Sequence, residues 1–74
     1  MTVTVFTKPG CPMCVNTKRA LDVKKVKYQT RDITEDEAAL AQLKELGHLQ
    51  LPVVHIEGGE HWSGHRPDMI VKNF

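Results

Sequence analysis

Hydrophobic and polar positions divide the chain into seven short segments. "TVTVFT", Thr2 to Thr7, is β-branched or aromatic throughout. Such a run predicts a short strand that can be buried on both faces, and hence a central one. Lys8-Pro9-Gly10 breaks it. Pro12 suits the first turn of a helix, where a missing N–H costs nothing, and a helix is predicted from there to about Lys24. Its apolar face is narrow: Ala20 and Leu21, with Val15 or Thr17 one turn earlier. "VKYQTRDI" sets Val26, Tyr28 and Thr30 against Lys27, Gln29 and Arg31, the period of two of a strand with one polar face. "TEDE" has the form of a capping box, with Thr34 as N-cap and Glu37 three residues on. The helix behind it is predicted to reach about Leu46, with Ala39, Leu40, Leu43 and Leu46 on one stripe and Gly47 as its stop. "LPVVHI" is a strand entered through Pro52, Gly58-Gly59 a hairpin turn, and "EHWS" the returning strand. "RPDMIVKNF" predicts a short terminal helix with Pro67 first and Asp68 in its first turn.

The predicted order is β-α-β-α-β-β-α, an α/β chain. A helical crossover joins the first two strands, which should therefore be parallel with a right-handed connection. The last two form an antiparallel hairpin. Every loop is short, and the sequence shows no repeat or linker, so residues 1–74 read as a single domain with one modest core.

Composition narrows the function. At 41% hydrophobic the chain can bury a core. A formal charge of +1 leaves no general basic footprint, so nucleic acid is not an expected partner. The N-terminus lacks a basic region followed by a long apolar run, so no signal peptide is expected. No apolar stretch approaches membrane-spanning length, so no membrane association is expected either. The expectation is a cytoplasmic monomer, in a compartment that keeps thiols reduced.

The chemistry then falls on "KPGCPMC". Cys11 and Cys14 are the only two cysteines. As a structural staple they would close too short a loop to stabilise much. On the predicted layout Cys11 ends the loop after the first strand and Cys14 lies in the first turn of the helix. Helix N-termini carry unpaired N–H groups and a partial positive charge, which favour a thiolate. Cys11 is thus expected to titrate below the free value of about 8.5, with Lys8 as a reinforcing cation. Cys14 is near enough to resolve a mixed disulfide formed at Cys11. A CxxC at the first strand–helix junction of a βαβ pattern is a far stronger redox signal than the bare motif.

The rival is zinc. His48, His55, His61 and His65 are the four histidines, and "HWSGH" supplies two at ligand spacing. "CPMC" and "HWSGH" lie at opposite ends of the chain, however, rather than about 12 residues apart as in a zinc finger. All four histidines read best as solvated loop and strand-edge residues. His65 is the one that Gly64 and the last helix start can turn towards the cysteines. Two small buried hydrophobes would be the structural reading of the cysteines; Pro12 at the helix start argues for exposure instead.

Three stretches together resemble one family over nearly the whole chain: "VFTKPGCPMC", "QLPVV" at Gln50 to Val54, and "WSGHRPDMI" at Trp62 to Ile70. They resemble the NrdH-redoxins, glutaredoxin-like proteins of the thioredoxin fold. The last stretch is similar to the C-terminal signature that separates this family from ordinary glutaredoxins. The resemblance implies a four-stranded mixed sheet flanked by three helices, with the first strand between the second and third and the fourth at the edge. It implies a protein disulfide reductase that donates electrons to a class Ib ribonucleotide reductase. Re-reduction would come from thioredoxin reductase with NADPH, and no cofactor would be bound beyond the Cys11–Cys14 disulfide itself. It makes Cys11 the attacking and Cys14 the resolving thiol. It makes Pro52 a cis-proline facing them, with the Leu51 backbone left free to pair with an extended substrate segment. An ordinary trans proline opening a strand is the alternative for Pro52.

Two departures touch the rim of the site. Pro12-Met13 stand where the family often has a Val-Gln or similar pair, which makes "CPMC" similar to the "CPYC" of true glutaredoxins. His65 stands where the family has an aromatic residue. A glutathione-dependent glutaredoxin is therefore the alternative function. Glutathione would need cations near Cys11, and Lys8 and Arg66 are the candidates. The glutaredoxin "GG" followed by paired acids is absent: Ser63-Gly64-His65-Arg66-Pro67-Asp68 stands there. Ser63, Arg66 and Asp68 serve equally well as hydrogen bonds tying the loop to the last helix. Trp62 is either a partner-docking anchor or a core filler under that helix. Met13 is expected exposed beside Cys11, where a flexible thioether suits a protein-facing surface.

Overall fold

Seven elements follow in the order β1 (Val3–Thr7), α1 (Pro12–Val23), β2 (Gln29–Asp32), α2 (Glu37–Glu45), β3 (Val53–Ile56), β4 (His61–Ser63) and α3 (Pro67–Asn73). They are taken from a computed structural model that describes residues 2–74. The strands form one sheet in the order β2-β1-β3-β4. β1 pairs parallel with β2 and antiparallel with β3, and β3 pairs antiparallel with β4. This is the mixed sheet expected from the sequence.

The period of two along the strands explains why both sheet faces are covered. Val3 and Val5 of β1, Val54 and Ile56 of β3 and Trp62 of β4 point to one side, where Leu21 of α1 and Ile70 of α3 complete the cluster. Phe6 of β1 and Val53 of β3 point to the other, where Ala39 and Leu43 of α2 close it, with Leu40 and Leu46 half-buried alongside. β1 is therefore central and buried on both faces. On α1 the apolar face is Thr17 and Leu21, both fully buried, while Val15 is exposed.

Two local expectations change. β2 is shorter than the alternation of Val26 to Ile33 suggests. Val26 and Tyr28 pack on the first cluster from outside the strand, and Thr30 is exposed. Arg31, expected on the polar face, instead sits over the Phe6 ring at 6.0 Å and reaches α2 by donating to Gln42 Oε1 at 2.9 Å. Thr34 is also not the N-cap of α2. Its N–H and hydroxyl both donate to Asp32 Oδ1, at 2.8 and 2.6 Å, closing a turn. Asp36 caps the helix by accepting from the Ala39 N–H at 3.0 Å. The Thr34 hydroxyl is already committed to the turn, and Asp36 is additionally held by Arg31.

Candidate active site

The chain leaves β1 through a turn in which Gly10 takes φ +72°, a conformation that favours glycine. Cys11 follows in extended geometry as the N-cap of α1. Its Sγ does what a serine or aspartate oxygen usually does there: it accepts from the Cys14 N–H, at 3.1 Å. Pro12 begins the helix with no N–H to satisfy. The first turn holds no acidic residue, so nothing on the helix offsets the positive end of its dipole. Cys11 and Cys14 are joined as a disulfide with their Cα atoms 5.2 Å apart, inside the usual span for such a bond. Cys14 is 2% exposed and Cys11 9%, so Cys11 is the more open residue of the pair. That is less exposure than Pro12 at the helix start suggests: Cys11 Sγ is bonded to Cys14 and accepts its N–H. Met13 is exposed beside it, as expected.

The facing wall is made by the segment before β3 and the segment after β4. The Leu51–Pro52 bond is cis, as the family resemblance implies. The Pro52 carbonyl accepts the Gly64 N–H at 2.7 Å, which fastens the two segments together. Among the described residues no backbone hydrogen bond engages the N–H or C=O of Leu51, which lies outside the strands. Gly64 has φ +80°, and a Cβ there would lie 3.7 Å from Met13 Cε, so the β4–α3 loop borders the rim of the cysteine turn. The next residue, His65, reaches α1 itself: its Nδ1 is 3.0 Å from Thr17 Oγ1. Thr17 is fully buried one turn beyond Cys14. The sequence pointed to His65 but not to this partner. The two residues are 48 positions apart, and no local pattern signals the contact.

The remaining candidates fall elsewhere. Lys8 is exposed in the loop and enters no ion pair among the described residues. Ser63 sits in β4 opposite Val53. Arg66 is gripped by Asp68, donating from Nε at 3.1 Å and Nη2 at 2.8 Å, and those hydrogen bonds hold the Asp68 carboxyl below its ordinary range. Of the two roles open to Arg66, tying the loop to the last helix is the one formed. Trp62 is corrected as a docking residue: it is 4% exposed and packs in the core with Val54 and Ile70. Strand alternation turns it inward while His61 turns out. The "CPMC" and "HWSGH" groups do not converge as a ligand set. The cysteines bond each other, His65 engages Thr17, and His61 engages His48. An open concavity of about 240 Å³, lined by Thr2, Val3, Lys27, Tyr28 and Gln29, lies at the other end of β1 from the cysteines. Among the described residues no helix is long and apolar enough to cross a membrane.

A CxxC pair at the N-terminus of the helix that follows the central strand of a β2-β1-β3-β4 sheet defines a thiol–disulfide oxidoreductase of the thioredoxin fold. The glutaredoxin family model matches residues 3–62. The glutaredoxin-like protein NrdH of Escherichia coli K12 is 39% identical over 70 residues, spanning 95% of this chain and 85% of that protein. The solved structure of NrdH-redoxin from Escherichia coli superposes with a TM-score of 0.90 at 36% identity, over 97% of this chain and 93% of that one. That protein is described as glutaredoxin-like with a thioredoxin-like activity profile. The crystal structure of the thioredoxin-like protein BC3987 also gives 0.90, at 30% identity over 99% and 100% of the two chains. The chain belongs to the glutaredoxin family, in its NrdH branch, and Cys11 and Cys14 are its redox pair.

Proposed function

We propose that the chain is a cytoplasmic electron carrier that reduces a disulfide of a class Ib ribonucleotide reductase and is itself re-reduced by thioredoxin reductase with NADPH. Cys11 thiolate attacks one sulfur of the substrate disulfide. The S–S bond breaks, and the second substrate sulfur leaves as a thiol after taking a proton. Cys14 then loses its proton and attacks Cys11 Sγ, which expels the first substrate sulfur as a thiol. Two electrons and two protons pass to the substrate, and the Cys11–Cys14 disulfide is left for the reductase. The observation that carries the assignment of roles is the Cys14 N–H aimed at Cys11 Sγ at 3.1 Å. In the reduced protein the same donor and the unopposed helix dipole favour thiolate at Cys11. The greater exposure of Cys11 supports it as the attacking sulfur.

The substrate's main chain would pair with the unengaged Leu51 backbone beside Pro52, while Met13, Gly64 and His65 form the opposite lip and Pro12 shapes the helix start. Lys8 would supply a cation at the edge, and Ser63 and Arg66 would shape the loop behind the lip. Likeness to an NrdH-redoxin of thioredoxin-like profile supports a protein reductase over glutathione. Commitment of Arg66 to Asp68 points the same way, since it occupies one of the two cations available to a glutathione carboxylate. The deciding experiment is a paired assay of the oxidised protein. NADPH with thioredoxin reductase should reduce it rapidly, and glutathione with glutathione reductase slowly. The opposite ranking would make it a glutathione-dependent glutaredoxin.

A further inference from the structure

A row of polar residues crosses all four strands on the α2 side of the sheet. Gln29 of β2 stands opposite Thr4 of β1, Thr4 opposite His55 of β3, and His55 opposite His61 of β4. Residues directly opposite one another share a face. Gln29 and Thr4 satisfy each other, with Nε2 donating to Oγ1 at 3.0 Å. The two histidines at the other end of the row do not, and their rings are tilted with centroids 6.1 Å apart. Over them comes His48. α2 ends at Glu45, Gly47 takes φ +82° to turn the chain, and the His48 N–H donates back to the Leu43 carbonyl at 3.3 Å. This anchored backbone sets His48 Nε2 2.7 Å from His61 Nδ1.

We infer that His48 Nε2 and His61 Nδ1 form a two-imidazole surface site for a borderline transition-metal dication such as Zn²⁺ or Ni²⁺. The inference is independent of the redox reading, because none of these residues belongs to the cysteine rim. Imidazole nitrogen is the ligand such ions prefer. A neutral His–His hydrogen bond has one N–H donor and one lone pair. Moving the donor's proton to its other ring nitrogen turns two lone pairs towards each other, and a cation between them replaces the lost bond. Two nitrogens each about 2.0–2.1 Å from a tetrahedral zinc are roughly 3.3 Å apart, so the pair must open by little more than half an ångström. A ligand imidazole must be neutral. Among the described residues no group of three His, Cys, Asp or Glu side chains is placed to hold a metal ion, so this is an open two-nitrogen site whose remaining positions go to water.

The test uses the oxidised protein, whose thiols cannot bind metal. Zinc chloride titrated near neutral pH, followed by calorimetry and by histidine ring NMR, should bind one equivalent and perturb His48 and His61. H48A and H61A should each weaken it by at least about tenfold, the scale on which even groups behind the ligands count. H65A should bind as the parent does. H48A and H61A should both keep disulfide-reductase activity, which reports an intact fold; H48Q and H61Q serve if either of these two loses it. No saturable binding to the oxidised parent, or equal binding by the His48 and His61 variants, would overturn the site.

Discussion

The Cys14 N–H donates to Cys11 Sγ at 3.1 Å, so one member of the redox pair caps the helix that carries the other. The cap is available to a thiolate as well as to the disulfide. It also sets an asymmetry: Cys11 is the end of the helix and Cys14 is inside it.

That asymmetry predicts which sulfur a partner meets. With Cys14→Ser, an oxidised substrate protein should be trapped as a stable mixed disulfide through Cys11. Non-reducing electrophoresis and peptide mapping read it directly. Cys11→Ser should trap little, because Cys14 is the more deeply buried residue, while serine can keep the cap. Trapping through Cys14 in Cys11→Ser but not the reverse would exchange the two roles.

The start of α2 offers a sharper structural test. Asp36→Ala should lower the denaturation midpoint clearly, since it removes the cap on Ala39 and the partner of Arg31. Thr34→Ala, at the position the sequence pattern favours, should cost less, because its hydroxyl serves only an exposed turn. The Ala39 N–H first, then the Arg31 guanidinium, hold the Asp36 carboxyl below its ordinary range. A carboxylate lowered on folding stabilises above its unfolded value of about 3.9 and loses that contribution as pH falls through the folded value. The advantage of the parent over Asp36→Asn in thermal unfolding should therefore be present at neutral pH and disappear in strong acid.

Much of this architecture was legible because single residue types forced it. A β-branched run can only be a buried strand here, Pro12 and Pro67 open helices, and Gly47 and Gly64 occupy turns with φ of +82° and +80°. Where several residues compete for one job, the pattern did not decide. Thr34 and Asp36 are both good caps, and the winner depends on Arg31 arriving from β2. Trp62 fits a core or an interface equally, and only its place in β4, opposite Val54, turns it inward. The cysteines were readable from their place at the first strand–helix junction, and cis-Pro52 through the family's motif. The histidine contacts join residues 48 and 13 positions apart, and no local pattern encodes them.

Core packing on α1 gives a quantitative expectation. Leu21 is fully buried between β1 and α3, whereas Val15 on the same helix is exposed. Leu21→Ala should cost about 2–5 kcal/mol, a large part of the roughly 4–11 kcal/mol that a domain of this length holds. Val15→Ala should stay within about 0.5 kcal/mol. Urea unfolding of the two variants distinguishes them, and similar losses would place Val15 in the core after all.

The contact between Thr17 and His65 ties the β4–α3 loop to the redox helix, and its energy can be isolated. Thr17→Val keeps the volume and removes the hydroxyl. His65 is only half-buried and can turn to water, so the loss should be about 1 kcal/mol. His65→Ala leaves a buried hydroxyl behind, which can fall back on a carbonyl of its own helix and soften the cost. Each single change therefore contains a reorganisation of its own, and only the double variant separates it from the bond. Denaturation of Thr17→Val, His65→Ala and the pair should give a coupling of about 0.5–1.5 kcal/mol. Additive losses would mean that the loop is held by the Gly64–Pro52 backbone bond and the Arg66–Asp68 pair instead. The lip of the site would then owe its position to the sheet rather than to the helix bearing the cysteines.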